Sequence, residues 1–297
     1  MRTSLGIAFV LTLLSVSAVF ANIERSAKPT FTLWQLPEQT HSQMMSYVIR
    51  TTGGKVIVID GGMPGDAPYL KGFLAALGNR VDHWIISHMH DDHFGALRAI
   101  LAQPGDLKIG RIYSSTLDDE WTKQYGSEGE YKSWIEFKQA LRNAGKRIIE
   151  LRLGGRMNID GVNFEVLGVA NPEIHPNAIN NSSLVLRVWD ASKSILFLGD
   201  LGPEGGRKLL QSKYRDRLDC DYVQMAHHGQ NGVELDVYQA ASPRFCLWPT
   251  PRWLWDNNIN GQGKGTGPWR TLEVRAWMEQ LQVKANYVSA DGLHRID

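Results

Sequence analysis

Cysteine is nearly absent from this chain. Two residues in 297, Cys220 and Cys246, exclude a small scaffold held together by disulfides. An excess of one charge is missing too: 32 Lys and Arg stand against 31 Asp and Glu, a formal net charge of +1. A surface that tracks nucleic-acid phosphates is usually clearly basic, so a nucleic-acid partner is disfavoured. At 43% hydrophobic residues the chain is too apolar, and too evenly charged, to stay disordered. Beyond the first 21 residues no apolar run approaches the roughly 20 residues that cross a bilayer. What remains is ordinary globular composition, long enough for one large domain or two small ones, with a surplus of Trp (10 residues).

The segment 1–21, MRTSLGIAFVLTLLSVSAVFA, has Arg2 at its start, an apolar stretch from Leu5 to Leu14, and small residues up to Ala21. This is the pattern of a secretory signal peptide cut after Ala21. An uncleaved anchor is the alternative, disfavoured by the short apolar run, and no Cys stands at the cut to take a lipid. The mature chain, 22–297, is then formally neutral, reads as a single domain, and is expected to be secreted or periplasmic. Cys220 and Cys246 would pair or remain separate buried thiols on neighbouring strands; the second reading is preferred.

Short β-prone runs cover Phe31–Pro37, Met45–Thr51 and Lys55–Asp60, the last two joined at Gly53-Gly54. Helical spacing follows at Ala67–Leu77, a buried strand at His83–Ile86, and helices at Phe94–Ala102 and Glu128–Asn143. Asn158–Val169 alternates about an Asp160-Gly161 turn. The second half repeats this grammar, with strands at Ser183–Trp189, Ser194–Leu198, Tyr222–Met225, Phe245–Trp248 and Ala285–Ser289. Helices are expected at Glu204–Tyr214, Glu234–Ala241 and Thr271–Leu281. Two such halves predict an α/β protein, an αββα sandwich of two mixed sheets with helices on the outer faces.

Directly after the His83–Ile86 strand comes Ser-His-Met-His-Asp-Asp-His, so that His88, His90, Asp92 and His93 form H-x-H-x-D-H. Imidazole nitrogens and carboxylate oxygens suit the same divalent metals. Alternation along an extended loop places His88 and His90 on one side, with Asp92 and His93 pointing elsewhere, so one loop would feed two ions. The bland alternative, a polar loop with three His by chance, is opposed by further candidates at other strand ends. Asp200 follows Leu198-Gly199, and His227-His228 follow Met225-Ala226. Asp60, before Gly61-Gly62, is read as a group orienting a ligand His or its loop. Asp91 and Met89 are read as spacers.

The order Asp60, His88-x-His90-x-Asp92-His93, Asp200, His228 resembles the metallo-β-lactamase-fold hydrolases over nearly the whole mature chain. Asn180–Leu186, Phe197–Asp200 and His227–Gly229 are similar to the branch that holds the metallohydrolase domain of DNA-uptake channels and the cell-wall phosphorylcholine esterases. The resemblance implies a binuclear zinc site, with other divalent metals as alternatives. One ion would take His88, His90 and Asp200; the other would take Asp92, His93, Asp200 and His228. His228 is chosen over His227 because the family places its ligand before Gly. Most members also carry a His before the bridging Asp; here that stretch is Asn180-Asn181-Ser182-Ser183, and His175 is a nearby substitute or a plain loop residue.

These residues imply hydrolysis by water activated at the metals, with Asp92 orienting the water and His227 or Asn180 touching substrate oxygens. The expected substrate is a phosphodiester or other small ester, free or in the cell envelope. A lactone or amide hydrolase and a non-catalytic secreted metal-binding module are the alternatives. Trp253, Trp255 and Trp269 flank the Asn- and Gly-rich stretch 256–267, which is either a lid or a loop anchored by its aromatics. Arg252, Lys264 and Arg270 are candidate phosphate contacts or ordinary surface charges. His294 is a candidate second approach to the site or a surface residue.

Overall fold

The computed structural model describes residues 28–297, so the leader reading of 1–21 lies outside the described residues. Fourteen strands and eight α-helices are found among the described residues. The strands are β1 (Phe31–Gln35), β2 (Ser46–Thr51), β3 (Val56–Asp60), β4 (Arg80–Ile85), β5 (Lys108–Ser114), β6 (Ile148–Glu150), β7 (Arg156–Ile159), β8 (Val162–Gly168), β9 (Val185–Trp189), β10 (Ser194–Phe197), β11 (Tyr222–Gln224), β12 (Phe245–Trp248), β13 (Ala285–Val288) and β14 (His294–Ile296). The helices are α1 (Ala67–Ala76), α2 (Asp91–Ala102), α3 (Asp119–Tyr125), α4 (Glu128–Asn143), α5 (Pro203–Gln211), α6 (Leu235–Ala241), α7 (Arg252–Trp255) and α8 (Thr271–Gln280).

Two seven-stranded mixed sheets form, in the orders β14-β1-β2-β3-β4-β5-β6 and β13-β12-β11-β10-β9-β8-β7. The chain end crosses over to finish the first sheet, where β14 lies antiparallel to β1 with Leu33 opposite Ile296. β3 reads Val-Ile-Val-Ile-Asp and is buried on both faces. Ile57 and Ile59 point between the sheets, where they join Tyr47, Ile49 and Ile85 against Phe164, Val166, Leu186, Val188 and Phe197 of the other sheet. Val56 and Val58 point the opposite way, onto Leu70 and Leu74 of α1 and Phe94 and Leu97 of α2. The second sheet is covered likewise by Leu209 of α5, Val237 of α6 and Val274 and Met278 of α8. Burying both sheet faces is the physical reason for an αββα sandwich.

Four local differences from the sequence reading have physical causes. α2 begins at Asp91, three residues before the expected Phe94, because His90 caps it in an extended conformation and Asp91 and Asp92 favour its positive end. β5 was not expected from Lys-Ile-Gly-Arg-Ile-Tyr-Ser, whose charges interrupt the apolar pattern; Gly110 permits its close approach to β4, since a Cβ there would meet the Asp82 carbonyl oxygen at 2.3 Å. α3 and α7, of seven and four residues, are too short to give a periodic signal. β6 and β14, three residues each, are defined by their partners rather than by their own sequence.

The parallel strands matter most for function. β3, β4, β5 and β6 run parallel in one sheet, and β10, β11, β12 and β13 in the other. Residues that follow the carboxyl ends of these strands gather where α/β proteins bind ligands. Asp60 ends β3, His88–His93 follow β4, Asp200 follows β10, and His227-His228 follow β11.

Candidate metal centre

The first group of potential ligand atoms comprises His88, His90 and Asp200; the second comprises Asp92, His93, Asp200 and His228. Within each group the atoms lie within 4.8 Å of one another. Asp200 belongs to both. Its Oδ2 is 3.3 Å from His93 Nε2, 3.2 Å from His228 Nε2 and 3.8 Å from His88 Nε2. Asp92 Oδ2 lies 3.0 Å from His228 Nε2.

The backbone places these groups by unusual turns. Gly199 has φ +56, and a Cβ there would stand 2.9 Å from the Ser183 side chain, so only Gly carries the chain from β10 to Asp200. The Asp200 N–H then donates to Ser183 Oγ at 2.9 Å. His227 and His228 both adopt left-handed conformations, φ +50 and +55, before Gly229 at φ +74. Such conformations are costly for residues with a Cβ and cluster at functional sites. Asp60 shares this feature, at φ +59.

Hydrogen bonds behind the rings fix which nitrogen faces inward. His228 Nδ1 donates to the Pro249 carbonyl at 2.9 Å, and His93 Nδ1 donates to Asp60 Oδ2 at 2.8 Å. Each leaves Nε2 for the site. His88 Nδ1 faces Ser87 Oγ at 3.0 Å. His90 is reversed: its Nδ1 lies 3.0 Å from His88 Nε2, and its Nε2 lies 2.6 Å from Glu130 Oε1. Asp60 touches both a candidate ligand and the loop, because its carboxylate also accepts from the Ser87 N–H at 2.6 Å and the Ser87 hydroxyl at 2.7 Å.

The electrostatics are those of a cation site. Burial lowers the His88 pKa well below the ordinary value, and neighbouring His93 adds to this. Burial also opposes protonation of His93 and His228, but nearby carboxylates, Asp200 foremost, overcome it; His93 is raised, and His228 is pushed up to about 10. Asp92 and Asp200 are held down against their burial, Asp92 chiefly by His93 and Asp200 chiefly by His228. Two buried atoms, His93 Nε2 and Asp200 Oδ1, have no hydrogen-bond partner. Buried polar atoms are normally satisfied, so orphans among convergent nitrogen and carboxylate donors fit divalent metal ions.

The remaining sequence candidates fall as follows. His227 Nε2 is 4.0 Å from Asp200 Oδ2 and 3.4 Å from Asn180 Nδ2, beside both groups but in neither. Asn180 is buried, with Oδ1 unpartnered. His175 does not fill the place of the missing His: it stacks on Tyr125, ring centroids 4.0 Å apart. His294 is no second approach, since its Nε2 is 2.7 Å from the Val288 carbonyl. Met89 is buried in the core under the first sheet, and Asp91 pairs with Arg98 and Ser133. The chain from Trp253 to Trp269 is anchored rather than free: the two rings pack at 4.8 Å, Trp253 Nε1 donates to the His41 carbonyl, and Trp255 packs on Trp248. Arg252, Lys264 and Arg270 are each engaged, with Asp291, Asp256 and Glu234 respectively. Cys220 and Cys246 are free, buried thiols. Sequence reasoning missed Glu130, which stands in an ordinary cap pattern, Ser127-x-x-Glu130, and gives no signal of the metal centre about 40 residues upstream.

Two mixed sheets face to face, helices outside, and two candidate ligand groups sharing one carboxylate define the class: an αββα protein with a candidate binuclear metal centre. A family model described as the metallo-beta-lactamase superfamily matches residues 41–236, and the chain belongs to that superfamily. It is 29% identical over 177 residues to ComE operon protein 3 of Bacillus subtilis, a match covering 59% of this chain and 21% of that protein. The chain thus spans about a fifth of that relative's length. Among solved structures, the metallo-beta-lactamase fold protein YhfI from Bacillus subtilis shares the fold at 11% identity and a TM-score of 0.54, covering 91% of this chain and all of that one. CmlA, a diiron beta-hydroxylase from Streptomyces venezuelae, does so at 13% identity and a TM-score of 0.54, covering 91% of this chain and 54% of that one.

Proposed function

We propose that this chain is an exported binuclear zinc hydrolase that acts on a phosphodiester or another small ester. The observation that carries the reading is the position of Asp200 Oδ2, shared between the His88–His90 group and the Asp92–His93–His228 group. Divalent metals bound there would lower the pKa of water toward about 7 and polarise a carbonyl or phosphoryl oxygen. The protein's own residues supply orientation. Asp60 and the Pro249 carbonyl hold His93 and His228 with Nε2 inward. Asp92, at the first turn of α2, has a second carboxylate oxygen with which to orient the attacking water.

Substrate contact is assigned to Asn180 and His227. The Asn180 amide nitrogen is engaged with Asn177 and His227, and its buried, unpartnered Oδ1 accepts from a substrate hydroxyl or amide. Burial lowers the pKa of His227, so it is neutral at pH 7, and its Nε2 accepts from a substrate hydroxyl or amide. The even charge balance favours a small-molecule or cell-envelope substrate over nucleic acid. Export rests on the 1–21 pattern alone.

The test combines metal analysis with a substrate panel. Purified protein is assayed for zinc, iron and manganese, then offered chromogenic phosphodiester, carboxylic ester, lactone and β-lactam substrates. Two equivalents of zinc with phosphodiester or ester turnover is the expected result. Iron at both sites would move the chain toward the chemistry that the name of CmlA describes. Bound metal with no turnover across the panel would favour a binding module.

A further inference from the structure

The first ligand group is sparse. It contains His88, His90 and Asp200, while the stretch 180–183 offers no imidazole or carboxylate and His175 is engaged with Tyr125. With so few protein ligands, the orientation of each one weighs more. His90 is also the ligand most in need of help. Within this group it is the cap residue of α2, outside the helix proper, and its side chain is 18% exposed, whereas those of His88 and Asp200 are 1% and 2% exposed.

Glu130 supplies what burial does not. Its Oε1 lies 2.6 Å from His90 Nε2. The two nitrogens of an imidazole lie on different edges of the ring, so a carboxylate on Nε2 stands away from any ion on Nδ1. A carboxylate accepts but does not donate. It therefore places the proton on Nε2 and leaves the Nδ1 lone pair free toward His88. Glu130 is itself held. Its Oε2 accepts from the Ser127 N–H at 2.5 Å, and Ser127 Oγ accepts from the Glu130 N–H at 3.2 Å. This reciprocal cap fixes the carboxylate at the start of α4, a sixteen-residue helix packed by Trp134, Phe137 and Leu141 into the core.

We infer that Glu130 is a positioning residue for the first metal site, acting through His90 to set its tautomer and ring orientation. The inference rests on the reading that His88, His90 and Asp200 hold a metal ion. It predicts selectivity, because the recorded hydrogen bonds of Glu130 go to His90 and Ser127, neither of which belongs to the Asp92–His93–Asp200–His228 group.

The experiment titrates metal-free protein with Co²⁺, following the visible absorption band and the bound stoichiometry. Wild type, Glu130→Ala, Glu130→Gln and Ser127→Ala are compared, with thermal unfolding of each metal-free variant as the folding control. Glu130→Ala is expected to lower affinity at one of two sites by about 10- to 100-fold and leave the other unchanged. Glu130→Gln, whose amide oxygen still accepts from Nε2–H, falls between. Ser127→Ala removes the cap hydroxyl, lowers the melting temperature, and keeps both affinities. Two unchanged affinities in Glu130→Ala would overturn the positioning role and leave the two-metal reading standing. An equal loss at both sites in Glu130→Ala would assign Glu130 to helix capping alone and overturn it as well. A wild type that takes up only one equivalent would remove both the first site and the inference built on it.

Discussion

Asp60 Oδ2 lies 2.8 Å from His93 Nδ1, and Asp60 Oδ1 lies 2.6 Å from the Ser87 backbone nitrogen. One carboxylate at the end of β3 thus aims a candidate ligand on α2 and fixes the start of the loop that carries His88 and His90. Asp60→Asn keeps the size but has one acceptor oxygen for three donors. Metal affinity at the Asp92–His93–His228 group is expected to fall about 10- to 100-fold. A donor left buried and unpaired costs a further 1–3 kcal/mol or so of stability. Metal titration and urea unfolding of the variant measure the two effects; wild-type values in both would show that Asp60 orients nothing.

Asp200 is the residue whose loss reaches both groups. Asp200→Ala is expected to bind neither ion tightly and to lose turnover to background. Metal removal has a second, separate consequence. An ion that binds only the folded chain stabilises it, by about 4 kcal/mol at a free concentration 1,000 times the dissociation constant. Chelated wild type should therefore melt at a lower temperature and recover on addition of Zn²⁺, whereas Asp200→Ala should show little response to either treatment. A metal-dependent melting shift retained in Asp200→Ala would contradict the shared-ligand geometry.

His227 and His228 are adjacent in sequence and unlike in place. His228 belongs to the second ligand group, with Nδ1 held by the Pro249 carbonyl, while His227 sits beside Asn180 at the edge. His228→Ala should lose one equivalent of metal. His227→Ala and Asn180→Ala should keep two equivalents, fold normally, and show lower kcat/KM, with a loss on the order of 100-fold for groups that touch reacting oxygens. Metal analysis beside steady-state kinetics decides between them. A missing equivalent in His227→Ala would exchange the two assignments.

The sequence made the candidate ligands legible because they lie in short motifs that follow strand ends and need no knowledge of pairing. The chain turns helical after His90, and this, rather than an extended loop, carries Asp92 and His93 into the second group. The His93 ring centroid still lies 4.0 Å from that of His88. Glu130 stayed hidden for a different reason. Its contact with His90 is made by packing α4 against α2, and nothing local to Ser127–Glu130 distinguishes this cap from one on a plain surface helix. The same limit applies to β14, three residues whose strand character comes from β1. The Trp residues illustrate the converse: their enrichment was plain, but their packing on one another was visible only in the fold.

Asp190 offers a prediction about pH that is independent of the metals. It lies in the turn between β9 and β10, at the end of β10 opposite to Asp200. Its carboxylate accepts from Thr30 N at 2.6 Å, tying the start of the first sheet to the second, and from the backbone nitrogens of Ser192 at 2.7 Å and Lys193 at 3.0 Å. Burial acts to raise its pKa, but these donors, Thr30 first, prevail and hold it down at about 2. A carboxyl group whose folded pKa lies below its unfolded value binds more protons when unfolded, so stability rises with pH across that interval. The contribution is therefore full above about pH 4 and lost as pH falls through about 2. Asp190→Ala should cost about 1.5–3 kcal/mol at pH 7, the scale of hydrogen bonds to a charged group. The gap from wild type should narrow in unfolding curves taken at pH 4, 3 and 2.5, while turnover at neutral pH is unaffected. A gap that stays constant down to pH 2.5 would mean that the neutral carboxyl serves as well as the carboxylate.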